Sequence, residues 1–126
     1  MKYFAIFLLS IILSSCYERE RNCTEFKTGE FEFKHTINGV EKTSRFIRTD
    51  SIEIDFYENS VDTNSVRWIN DCEFIVKKIN PTSRRDAKAI HMKILTTDKD
   101  SYLFEYSVVG DKKNKQKGRA TKVKSL

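Results

Sequence analysis

The chain is poor in the residues that punctuate a fold or hold a metal. Its 126 residues include one proline, four glycines, three cysteines, two histidines and one tryptophan. So little proline and glycine leaves no flexible linker and no low-complexity stretch, and one domain is expected. The histidines, His35 and His91, stand far from each other and show no ligand spacing with the cysteines. They read as ordinary strand residues, so neither a metal nor a cofactor is expected. No Gly-x-Ser-x-Gly elbow, Walker loop or clustered acidic metal site occurs. Long apolar runs are also scarce. The one that stands out is the nine-residue stretch 4–12 (FAIFLLSII), too short to span a bilayer comfortably.

That run has the length of a signal-peptide core, and Lys2 supplies a minimal basic start. Leu13-Ser14-Ser15-Cys16 follows and resembles a bacterial lipobox, in which the cysteine is acylated and becomes the first mature residue. The resemblance implies a signal peptide over 1–15, a lipid anchor on Cys16 and attachment to a membrane through its acyl chains, palmitate among them. Cleavage would leave 111 of the 126 residues and, with Lys2 gone, 22 cations against 18 acids, a balance of +4. Residues 16–22 read as a tether and 23–126 as the domain.

Two cysteines then remain. An exported compartment permits disulfides, and Cys23 and Cys72 allow one pairing. A Cys23–Cys72 bridge is expected. The alternative is two separate thiols, with Cys72 buried beside Trp68.

The body alternates with period two and has almost no helical periodicity. Phe31 and Phe33 alternate with Glu30, Glu32 and Lys34, and Asn38-Gly39 signals a hairpin. Residues 40–49 read as the return strand. Ile52, Ile54 and Phe56 alternate with Glu53 and Asp55, which places the two carboxylates on an outward face. Residues 58–64 read as a polar connection into Val66 and Trp68. Cys72, Phe74 and Val76 share a face, as do Ile90, Met92 and Ile94, and then Tyr102, Phe104, Tyr106 and Val108. A basic loop over 110–118 precedes a last strand near 119–124. Residues 83–95 suit either a helix capped by Ser83 or a loop followed by a strand, and the clean alternation from Ile90 favours the second. The fold class expected is all-β: an antiparallel up-and-down meander of about eight strands, closed as a small barrel or a strongly curved sheet.

Thr28-Gly29-Glu30-Phe31 resembles the Gly-x-Trp of lipocalins, with Phe31 in place of Trp. In that family the aromatic plugs one end of the barrel under an arginine from the last strand, for which Arg119 is the candidate here. A second resemblance covers nearly all of the mature chain. It is carried by Cys23, Phe26-Lys27-Thr28-Gly29, Ile47-Arg48-Thr49-Asp50-Ser51, Val66-Arg67-Trp68, Asp71-Cys72-Glu73-Phe74 and Ser101-Tyr102 with Phe104 and Tyr106. These strings are similar to a group of small exported Bacteroidota lipoproteins with no established activity. Some of its members carry the label DNA topoisomerase IV, but an anchored domain of this size has no room for an ATPase or a cleavage domain.

Two constellations remain. Lys112, Lys113, Lys115, Lys117, Arg119, Lys122 and Lys124 crowd the C-terminal stretch. They read either as a solvated loop and tail or as a contact for an anionic surface or polymer. No aromatics interleave them, so no nucleic-acid partner is expected. Phe31, Phe33, Phe56, Trp68, Phe74 and Phe104 either fill a core or line an apolar cavity. The function expected is a non-enzymatic binding or scaffolding module on the outer membrane of the cell envelope, facing periplasm or surface and meeting an envelope protein or anionic polymer. The alternative is a small lipocalin-like carrier of an apolar ligand.

Overall fold

The computed structural model describes residues 21–126. The expected signal peptide, Cys16 and the tether up to residue 20 lie outside the described residues. A 3-10 turn, Cys23–Phe26, leads into eight strands: β1 (Gly29–Ile37), β2 (Val40–Arg48), β3 (Ile52–Tyr57), β4 (Ser60–Asn70), β5 (Glu73–Lys78), β6 (Ile90–Thr97), β7 (Ser101–Val108) and β8 (Gln116–Lys124). Each strand pairs antiparallel with the next, and β8 pairs with β1, so the meander closes as a barrel. Closure leaves no open edge to template aggregation.

The turns follow local chemistry. Asn38 and Gly39 both take positive φ, 51° and 77°, the two-residue turn whose twist matches the strands it joins. Residues 58–64 differ from expectation. The turn is only Glu58-Asn59, and β4 begins at Ser60 with Asp62 and Asn64 facing the barrel interior. Polar residues facing inward hid this part of the strand from a search for apolar alternation. Residues 83–95 form a loop and then a strand. Ala87 N donates to Ser83 O at 3.1 Å, and Ser83 Oγ accepts from Asp86 N at 3.1 Å. That single turn uses the expected cap without starting a helix, and β6 begins at Ile90.

One end of the barrel is plugged. Cys23 and Phe26 of the 3-10 turn pack on Phe31, Ile94, Tyr102, Phe104 and Ala120. Gly29 makes the closure possible: at φ +145°, a Cβ there would lie 2.8 Å from Lys122 Cε and 3.1 Å from Lys124 O. Lys122 crosses this gap and donates to Glu25 O at 2.7 Å. Arg119 does not play the part assigned to it. It is exposed and holds Asp98 Oδ2 at 3.0 Å and Ser101 Oγ at 3.1 Å. The cation over Phe31 is Arg48 of β2, 4.9 Å from the ring centroid.

Cys23 and Cys72 are joined by a disulfide across a sequence separation of 49. It ties the plug to the β4–β5 turn. A crosslink of that loop length is worth about 4 kcal/mol through the unfolded chain. The Cys23→Ser/Cys72→Ser double variant should lose stability of that order in urea unfolding. Unchanged stability would mean that packing alone holds the plug.

Candidate functional site

The site starts from the parity of β3. Phe46 and Arg48 of β2 face inward with Phe31 and Gly29, their partners on β1. Their partners on β3 are Asp55 and Glu53, and directly opposed residues share a face of the sheet. Glu53 and Asp55 therefore point into the barrel. Glu53 is 8% exposed, whereas Ile52 is 38% exposed. This overturns the outward reading of the two carboxylates. The alternation was correct, but the interior face is the polar one here. Phe56 lies on the other parity, with the Arg45 guanidinium 4.6 Å over its ring.

Arg48 is fully buried. Its guanidinium lies 4.9 Å from Phe31, 4.7 Å from Phe74 and 5.3 Å from Phe46. Nη2 donates to Tyr102 Oη at 2.6 Å, and Nη1 reaches the same oxygen at 3.3 Å. Nε has no hydrogen-bond partner and stands 3.7 Å from Glu53 Oε1. Burial of a cation is costly without such company, and stacking on rings recovers part of that cost.

The carboxylates are shifted by the same burial. Desolvation raises Glu53 to about 7, with the Arg48 charge opposing and the Asp55 charge adding. Desolvation also raises Asp55, against a hydrogen bond from Asn64 Nδ2 at 2.7 Å. Tyr102 is pushed up to about 12, chiefly by burial.

Beyond this layer the barrel is hollow. A cavity of about 620 Å³ is lined by Glu53, Asp55, Asn64, Val76, Ile90 and Met92 among others, and meets the surface beside the exposed Arg85 and Lys88. A second chamber of about 330 Å³ is bordered by Phe33, Phe46, Tyr102 and Phe104 and shares Glu53, Asp55 and Met92 with the first. Both lie toward the end opposite the plug, where the β3–β4 hairpin and the β5–β6 loop sit.

The six expected aromatics divide between the two ends. Phe33 and Phe104 border the smaller chamber, and Phe56, on the outer parity, meets only its edge. Phe31 and Phe74 are fully buried in the plugged half. Trp68 stacks on Phe74 at 4.4 Å, with Lys27 Nζ 5.1 Å from its ring. The basic set runs from the β7–β8 loop along β8. Lys112 and Lys113 are exposed on the β7–β8 loop, Lys117 faces Glu105 across the strands, and Lys115 lies 3.5 Å from Glu105 Oε1. His91 pairs with Glu73 at 3.3 Å, and His35 lies between Phe33 and Tyr57. Among the described residues, no three of His, Cys, Asp and Glu are grouped to hold a metal ion. Sequence reasoning missed Arg48, Glu53, Asp55 and Asn64. The available signal was Arg48 two residues after Phe46, on the same parity.

No protein-family model, curated protein or solved structure matches the chain.

A carboxyl raised from 4.5 to about 7 on folding favours the folded state while it is protonated. Glu53 thus stabilises the protein at acid pH and loses that contribution as pH rises through about 7, a change on the order of 3 kcal/mol. Denaturation of the unmodified protein and of Glu53→Gln across this range should give a stability difference that shifts in favour of the variant as pH rises. A difference independent of pH would show that Glu53 is ionised throughout.

Proposed function

We propose that the protein is a lipid-anchored envelope barrel that carries a small ligand in its interior. The observation that carries this reading is the cavity of about 620 Å³ and an aromatic chamber of about 330 Å³ that shares Glu53, Asp55 and Met92 with it. Those volumes fall in the range of small-molecule sites, and the larger cavity sets apolar Val76, Ile90, Met92 and Val108 beside a charged wall. The same observation favours the carrier over a pure scaffold, which needs no hollow interior. The lipobox-like Cys16 supports anchorage, and the disulfide suits an exported compartment.

The reading implies that the barrel binds a neutral apolar fluorophore such as N-phenyl-1-naphthylamine with a rise in emission. Val76 lines the larger cavity, so Val76→Trp should fill it and abolish that binding, with the far-ultraviolet circular dichroism unchanged. Absence of binding by the unmodified protein would return the function to a surface scaffold.

A further inference from the structure

The interior leaves polar groups without hydrogen bonds, Arg48 Nε and Trp68 Nε1 among them. Glu53 is 8% exposed and borders both chambers, yet among the described residues no hydrogen bond reaches its carboxylate. The nearest cation, Arg48, is committed to Tyr102 and the rings, and its Nε stands 3.7 Å away without a hydrogen bond. Asp55 receives one hydrogen bond, from the neutral Asn64. Lys78 acts on Asp55 through its charge but gives neither acid a hydrogen bond among the described residues. Its Nζ lies between Asp62 Oδ2 at 3.6 Å and Asp86 Oδ2 at 3.8 Å. Arg85 and Lys88 border the same cavity but are exposed at its surface opening. The floor thus presents two carboxylates to one guanidinium, whose Nη atoms serve Tyr102 and whose Nε stands 3.7 Å from Glu53.

A ligand that completes this arrangement must donate and carry positive charge. A neutral ligand would leave the carboxylates buried and unbonded, which costs more than the bond itself returns. At mildly alkaline pH, with both acids ionised, an anion would meet two like charges beyond the cations Lys78, Arg85 and Lys88 of the wall. The walls next to the acids are Met92, Phe33 and Phe104, which ask for hydrocarbon. We propose that the barrel takes a small amphipathic organic amine, its ammonium group held by Glu53 and Asp55 and its apolar part against Met92, Phe33 and Phe104. This rests on the ligand-carrier reading above and names the class of ligand.

The test compares three probes of one chain length on the full mature protein at mildly alkaline pH: octylamine, 1-octanol and octanoate. Each is titrated calorimetrically and by displacement of N-phenyl-1-naphthylamine. Octylamine should bind at least about tenfold more tightly than 1-octanol, as one charge-assisted hydrogen bond in a buried site requires. Octanoate should bind most weakly. In the Glu53→Gln/Asp55→Asn double variant the ratio of amine to alcohol affinity should fall toward one. Equal or tighter binding of 1-octanol or octanoate by the unmodified protein overturns the amine assignment while leaving the carrier reading intact. If neither the fluorophore nor any of the three probes binds, the carrier reading fails and the amine assignment with it. The probe comparison needs no variant, so a double variant that failed to fold would not rescue the proposal.

Discussion

The buried guanidinium of Arg48 is the constraint around which this barrel is organised. A cation with no exposure to water has to be met on every side. Phe31 comes from β1, Phe46 from its own strand, Phe74 from β5 and Tyr102 from β7, while Glu53 approaches from β3. Strands far apart in sequence are therefore fixed relative to one side chain. Replacing such a group with matched apolar residues need not cost stability, but removing only one of its partners does. That asymmetry makes the cluster strict about its members, and it lies at the boundary between the plug and the hollow.

The two ends of the barrel divide the work. The plugged end holds the 3-10 turn, the disulfide and most of the buried aromatics. It supplies the packing that a small domain needs. The other end gives up packing for space, and its polar wall would be a liability in a core. Desolvation of Glu53 and Asp55 is a cost carried by the folded state, since neither acid is fully compensated. Costs of this kind collect at functional sites and are offset elsewhere in the fold. The fully packed half of the same barrel is where the offset resides.

Much of the architecture was legible in the sequence. Asn38-Gly39 marked its hairpin, and Ile90, Met92 and Ile94 marked β6 against the helical alternative. The pairing of Cys23 with Cys72 followed from the count of thiols. The interior was far less legible. Alternation reveals that a strand has two faces, but the choice of inner face rests on the assumption that apolar means inside. On β3 that assumption chose Ile52, Ile54 and Phe56, and the register chose Glu53 and Asp55. The same assumption hid the start of β4, where Asp62 and Asn64 face inward. Arg119 was assigned by analogy with the last strand of lipocalins, whereas the stacking cation comes from β2. In each case the missing information is which strand lies opposite, a property of the closed sheet and not of any one segment.

The topology also fixes the end of the barrel at which the N-terminal segment enters. The tether meets the domain at Cys23, and Cys23 belongs to the plug. Six residues separate Cys16 from Cys23. The surface opening beside Arg85 and Lys88 is at the opposite end, away from the point where the chain enters the domain. Lys112 and Lys113 share that end on the β7–β8 loop. The expected anionic contact and the cavity opening therefore lie at one end of the barrel.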